Sequence, residues 1–378
     1  MSQAVIAGYA RSPFHFAGKG ALSRVRPDDL AAQVIRGLIE RTKIDPADIE
    51  DVIVGCAFPE GEQGMNVARL IALLSDLPIK VGGMTVNRFC GSSMSSIHIA
   101  VGQIAIGAGE AFICAGVESM SRVPMGGYNP LFNPALMKER PGAYMGMGET
   151  AENVAEKYQI TREAQEAFAV ESQRKAAEAQ KAGRLKDEIV PIATRGGTVD
   201  EDGTLRPGTT AEALAGLKPA FAKEGTVTAG TSSPLTDGAS AVLVCSAEFA
   251  KKHGLEVLAT VKSVAVSGCA PELMGLGPIE ASRKALERAG IGADRIDVVE
   301  LNEAFASQSL ACIRDLGLDP AKVNIDGGAI AIGHPLGATG ARLVGKAAQL
   351  LKREGKHYAL ATQCIGGGQG IATVLERA

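Results

Sequence analysis

Three side chains in this sequence combine nucleophilic or basic chemistry with an unusual backbone setting: Cys90, His334 and Cys364. Cys90 ends the short apolar run Met84-Thr85-Val86-Asn87-Arg88-Phe89 and is followed by Gly91-Ser92-Ser93 and a long apolar stretch. That order predicts a strand, a turn and a buried helix with the thiol at the helix N-terminus. Free backbone N–H groups and the positive dipole end favour thiolate over thiol there, and the thiolate is the nucleophilic form. Gly91 is expected to leave room for a substrate. His334 lies in the run Gly327-Gly328-Ala329-Ile330-Ala331-Ile332-Gly333-His334-Pro335-Leu336-Gly337, where Gly and Pro set the backbone around an imidazole able to accept a thiol proton. Cys364 stands in Thr362-Gln363-Cys364-Ile365-Gly366-Gly367-Gly368, after a strand over Tyr358–Ala361. Its Gly triplet either lets several N–H groups converge on an oxyanion or makes a plain turn. Asn302, just past a strand over Ile296–Leu301, stands where sites form in parallel sheets, or simply caps the next helix.

The remaining candidates have bland readings. Cys56, Cys114 and Cys245 lie in apolar runs and are expected to be small buried hydrophobes, as are Cys269 and Cys312. His15, His253 and His357 have polar neighbours and are expected at the surface. His98 follows Cys90 by eight residues on the same helix, so its side chain projects two turns away.

These residues need a scaffold. Ala4–Tyr9, Asp51–Cys56, Met84–Asn87 and Ala111–Gly116 read as strands, and Leu30, Val34, Ile35, Leu38 and Ile39 share one helical face behind Pro27-Asp28-Asp29. Asn66–Leu74 reads as a second helix. The alternation predicts a mostly parallel sheet covered on both faces. The last third echoes the first in the same order: LIERTKIDPADIEDVIVGCA with ALERAGIGADRIDVVELNEA, VNRFCGSS with VNIDGGAI, and AFICAGVESM with YALATQCIGG. An internal duplication follows. Between the halves, residues 121–228 are rich in charge. Thr161–Ala182 reads as an exposed charged helix and Val123–Met147 as an irregular loop, suited to a lid, a binding loop or an oligomer contact.

The 378 residues exceed one ordinary core. A net charge of −3 gives no excess of basic groups for nucleic acid. The apolar stretch 97–117 contains His98, Gln103 and Glu110, which argues for a buried helix and strand rather than a membrane span. Seven cysteines without C-x-x-C pairs point away from disulfides and zinc and toward a reducing cytoplasm. No secretory leader is evident in MSQAVIAGYARSPF.

Five segments together resemble the thiolase family: Asn87–Ser93, Thr228–Ser233, Asn302–Ala306, Gly327–Gly337 and Cys364–Gly366. The resemblance implies two βαβαβαββ halves in five α/β/α/β/α layers, an α/β fold with an inserted loop domain. The implied domains are 1–120 plus about 229–257, 121–228, and 258–378. It implies thiolysis of a 3-ketoacyl-CoA to acyl-CoA and acetyl-CoA, with no tightly bound cofactor, no metal and coenzyme A as substrate. Cys90 would be acylated and His334 would activate it. Cys364 would be the second acid/base, and Asn302 would hold a water at the enolate oxygen. The N–H groups of Cys90 and Gly366 would form a second oxyanion hole. Met147, Arg206, Ser233, Leu235, Met274, Ala304 and Phe305 would line the CoA groove, Arg206 against the nucleotide. The family also implies a homodimer or homotetramer and raises a hydratase/dehydrogenase partner subunit. Gly146 and Asp326 depart from the family pattern, and Asp326 is expected to shift the His334 pKa. Alternatives are an acetoacetyl-CoA-specific acetyltransferase and a Cys-His-Asn ketoacyl synthase; the wording of Asn87–Met94 is closer to degradative thiolases.

Overall fold

A computed structural model describes residues 2–378. The first half runs β1 (Ala4–Arg11), α1 (Pro27–Thr42), β2 (Asp51–Gly55), α2 (Val67–Leu74), β3 (Gly82–Val86), α3 (Ser92–Ala105), β4 (Ala111–Ser119) and, after an insertion, β5 (Thr236–Ser246). The insertion carries α4 (Met147–Tyr158) and α5 (Arg162–Lys181). The second half runs β6 (Ala259–Gly268), α6 (Gly277–Ala289), β7 (Val298–Leu301), α7 (Ala306–Leu316), α8 (Leu336–Arg353), β8 (Tyr358–Ile365) and β9 (Gln369–Arg377).

The strands lie in the order β7-β8-β9-β6-β1-β5-β4-β2-β3. Read outward from the middle, each half repeats one path: β1-β5-β4-β2-β3 on one side and β6-β9-β8-β7 on the other. A parallel bridge between Val299 and Val323 stands where the second half's fifth strand would be. The half-sheets are joined at the antiparallel pairs Val5–Thr260 and Ile6–Ala259. Pairing is mixed rather than mostly parallel. β2 is parallel to β3 and β4, and β7 to β8, but β5 and β9 run antiparallel to their neighbours. The reason is local for β9: the turn Gly366-Gly367-Gly368 folds it straight back on β8, and only an antiparallel partner suits a short turn.

Three cores define five layers. Leu30, Val34, Ile35 and Leu38 of α1, with Val67 and Ile71 of α2, cover one face of the first half-sheet at Val52 and Val54. Ile279 and Leu286 of α6, with Ile313 and Leu316 of α7, cover the far face of the second at Val299 and Leu360. Between the half-sheets, Met94, Ile97 and Ile104 of α3 and Leu343, Val344 and Leu351 of α8 share one core with Ile53, Phe112, Ile365 and Ile371. Each such side chain contributes roughly 1.5–3 kcal/mol by burial. Helix α3 is apolar enough to be enclosed, whereas α8 is enclosed with Arg342 paired to Glu300 and Lys346 to Asp326; their N-termini point the residues just before them, Cys90 and His334, at a common region.

Two expectations for the insertion need correction. Segment 123–147 is not wholly irregular: Asn133 caps a helix over Pro134–Glu139 through Ala135 and Leu136. Helix α5 is not simply exposed, since Gln165, Glu166, Ala169, Ser172, Gln173, Ala176 and Ala179 form a buried face of small and polar residues. Hydropathy alone hides such a face, because Ser172 and Gln173 are buried by hydrogen bonds to Glu303 and to the Ile330 carbonyl.

Candidate active site

The Cys90 loop is built by its neighbours. Phe89, directly before the thiol, has φ +43°, a region that costs a bulky residue on the order of 1–3 kcal/mol. Asn87 Oδ1 accepts from Phe89 N (2.8 Å), and Ser92 Oγ accepts from Arg88 N (2.9 Å) while donating to Phe89 O (2.6 Å). These bonds hold the strained turn. Gly91 is needed for a different reason than substrate access. A Cβ there would lie 2.5 Å from Ile365 Cδ1, so the missing side chain lets the loop abut β8 of the other half. Gln363, also on β8, donates to the Cys90 carbonyl.

From the second half, a four-residue helix over Ala329–Ile332 leads to His334, whose backbone N–H donates to Thr236 Oγ1 (3.1 Å). Its Nδ1 pairs with Thr339 Oγ1 at 2.6 Å, and its Nε2 lies 3.4 Å from Asn302 Nδ2. Asn302 is fully buried and its Oδ1 has no protein partner, an acceptor free for a water O–H. The capping role left open for it is not realised: Phe305, not Asn302, is the N-cap of α7.

Cys90, His334 and Cys364 open onto one cavity of about 460 Å³. Met147, Ser233, Leu235, Met274, Ala304 and Phe305 line it, as expected, and so does Gly146. Arg206 does not. Its guanidinium lies over the Phe16 ring, 5.0 Å from the centroid, outside the cavity. Gly366 is not part of the lining either, but its N–H reaches the Cys90 sulfur. The sequence reading missed Met120, Met125, Phe221 and Leu336, which also line the cavity. No sequence signal singled out Phe221, one of several aromatics in the insertion; its ring meets Phe305 edge-on at 5.8 Å. His98 lies away from the cavity, bonded to Thr373 Oγ1 at 2.9 Å.

The electrostatics revise the preformed thiolate. Burial pushes the Cys90 thiol up to about 11, although the Gly366 N–H pulls it down. Burial is also the main cause raising Cys364, with neighbouring Cys90 next. Burial holds His334 neutral, its pKa pushed down to about 3. The resting site is therefore two thiols beside a neutral imidazole that can accept a proton. Asp326 does not act on His334 as expected. It is neutralised by Lys346 (2.8 Å), Arg184 (2.8 Å) and Arg353 (2.6 Å), and burial alone shifts His334. Among the described residues no cluster of His, Cys, Asp and Glu could hold a metal.

Residues 4–248 match the thiolase N-terminal domain and residues 255–377 the thiolase C-terminal domain. The chain is similar along its full length to proteins named 3-ketoacyl-CoA thiolase. Identity is 47% to that of Bacillus subtilis (strain 168), covering all of both chains. It is 49% to that of Marinobacter nauticus, covering 99% of this chain and 98% of the relative. It is 46% to that of Vibrio cholerae serotype O1, again covering both chains fully. With two thiols and a neutral imidazole meeting in one apolar cavity between duplicated halves, and with both domains matched, the chain belongs to the thiolase family.

Proposed function

We propose that this protein cleaves 3-ketoacyl-CoA thioesters with coenzyme A, giving acetyl-CoA and an acyl-CoA shortened by two carbons. The observation that carries this reading is the single cavity shared by Cys90, His334 and Cys364. His334 takes the Cys90 proton as the sulfur attacks the 3-keto carbon. The C2–C3 bond breaks, its electron pair passing to the acetyl-CoA enolate. Asn302, through a water, and His334 stabilise the enolate oxygen. Cys364 gives its proton to C2 and recovers one from incoming coenzyme A. The coenzyme A thiolate takes the acyl group through a tetrahedral oxyanion held by the N–H groups of Cys90 and Gly366. Cys90 leaves as thiolate and regains its proton from His334. No tightly bound cofactor is required by this sequence of steps. The apolar floor, with Met120, Met125, Met147 and Met274, suits alkyl chains of varied length.

The test is label transfer from radioactive acetyl-CoA to protein. Wild type should be labelled, and Cys90→Ala should carry no label and lose thiolysis. A labelled Cys90→Ala protein would falsify the assignment of the nucleophile.

The division into 1–120 with about 229–257, 121–228 and 258–378 belongs to the same reading, supported by the repeated strand path on either side of the insertion. A homodimer is proposed on the free edge of β3, beside exposed Ile79, Leu73, Leu74 and Met65; sedimentation as a monomer would remove it. A 3-ketoacyl thioester arises by oxidation of a 3-hydroxyacyl thioester. That chemistry makes a hydratase/dehydrogenase the natural partner, with exposed Tyr128, Leu131 and Phe132 as its candidate contact. Seven unpaired cysteines favour a reducing, cytoplasmic setting. No helix among the described residues is long and apolar enough to cross a membrane.

A further inference from the structure

Glu118, the penultimate residue of β4, is fully buried and is not itself among the residues that line the cavity. Its carboxylate collects donors from two directions. On the first half it accepts from Ala57 N (2.8 Å), Phe58 N (3.3 Å) and Gln63 Nε2 (2.8 Å), with Cys56 Sγ 3.8 Å away. On the second half it accepts from Gly337 N at 3.0 Å, in the first turn of α8. Helix α8 has no side-chain cap of its own, so a carboxylate from the opposite half serves its positive end.

Both ends of this bridge lead to reacting groups. Ala57 O accepts from Asn87 Nδ2 (3.1 Å), and Asn87 Oδ1 holds Phe89 N, one residue from Cys90. The Phe58 and Phe89 rings pack at 5.7 Å. On the other side Gly337 follows His334 by three residues, in a turn closed by Leu336 N to His334 O (2.9 Å). A Cβ on Gly337 would lie 2.8 Å from both the Cys56 Cα and Glu118 Oε2, so only glycine lets the His334 turn come this close.

We infer that Glu118 is a positioning residue: one buried carboxylate ties the loop carrying Cys90 to the turn carrying His334 and so sets the approach of thiol to imidazole across the two halves. This rests on the thiolase reading of those two groups. The same anion also faces Cys90 electrostatically and helps hold its proton on in the resting state. Burial opposes the ionised form of Glu118, and the converging N–H groups of Ala57, Gly337, Gln63 and Phe58 favour it.

The experiment compares Glu118→Gln, Glu118→Asp and wild type as full-length chains. A misplacement of reacting groups by about 1 Å costs on the order of 100-fold, so kcat of Glu118→Gln should fall by about that factor. The KM for coenzyme A should stay within roughly twofold, because no groove contact is lost. Inactivation of Cys90 by iodoacetamide should shift to lower pH in Glu118→Gln, where the charge is gone. It should keep the wild-type profile in Glu118→Asp, where the charge remains. A kcat within threefold of wild type would overturn the inference. So would a parallel loss of kcat and coenzyme A affinity, or equal alkylation shifts in both variants, since each marks mere loosening. If Glu118→Gln does not fold, Gln63→Leu removes one donor to the carboxylate, along with the bonds of Gln63 to the Phe58 carbonyl and the Ser119 N–H; it should lower kcat several-fold with an unchanged KM, and wild-type kinetics would overturn the idea. Acyl label on Cys90 in wild type keeps the two questions apart: without it the thiolase reading fails, and with it only the role of Glu118 is at stake.

Discussion

The two halves of the molecule follow one strand path but end their loops in different chemistry. After β3 the first half reads Asn87-Arg88-Phe89-Cys90 and delivers a thiol at the start of α3; the matching stretch of the second half reads Asn324-Ile325-Asp326-Gly327 and carries no thiol. Instead it continues through a glycine-rich turn to His334 at the start of α8. The ends of β4 and β8 differ in the same way. The first carries Glu118, a buried carboxylate held by the N–H groups of Ala57, Phe58 and Gly337 and by Gln63, while the second carries Cys364 and the N–H of Gly366. Duplication thus supplies two equivalent helix N-termini facing one region, and in the proposed mechanism divergence of the loops divides nucleophile from base and proton carrier. Neither half holds a complete set.

That division can be broken residue by residue. The largest effect in the second half is expected for Cys364→Ala. Thiolysis should fall by about 1000-fold or more, in the range of a lost acid/base group. Label transfer to Cys90 should survive while proton exchange at C2 of acetyl-CoA disappears. Persisting exchange would move the proton-carrier role elsewhere. Next, Asn302→Ala should lower kcat by about 100- to 1000-fold, the cost of one oxyanion donor, and leave iodoacetamide labelling of Cys90 intact. A change in KM alone would make Asn302 a binding residue instead. The smallest effect sharpens the contrast between cavity and surface. Arg206 stacks on Phe16 outside the cavity, so Arg206→Ala should change the coenzyme A KM by no more than about twofold. A tenfold rise would restore it to the nucleotide contact expected from family resemblance.

Much of the scaffold was legible because its signals are local. Leu30, Val34, Ile35 and Leu38 share one face of α1 as their spacing requires, and the three sequence echoes coincide with β2 and β7, with the Cys90 and Gly327 loops, and with β4 and β8. The misreadings share a cause. The buried face of α5 is built of Gln, Ser and Ala, and Asp326 is silenced by Arg184, Lys346 and Arg353, residues distant in sequence. Gly91 was assigned to substrate access when its space is taken by Ile365. The preformed thiolate was argued from a helix N-terminus alone, whereas burial outweighs it and leaves Cys90 a thiol. The state of a titratable group depends on everything packed around it, and little of that lies within a few residues along the chain.

By itself the sequence determined which side chains are able to react, that the chain is doubled, and that the helix after Cys90 must be buried, because residue type, repetition and periodicity are properties of the chain order. Only the tertiary structure decided that Cys90, His334 and Cys364 share a cavity, that Arg206 stands outside it, and that Glu118 joins one half to the other. Those facts depend on distances between segments far apart in the chain, and such distances are set by how the layers pack.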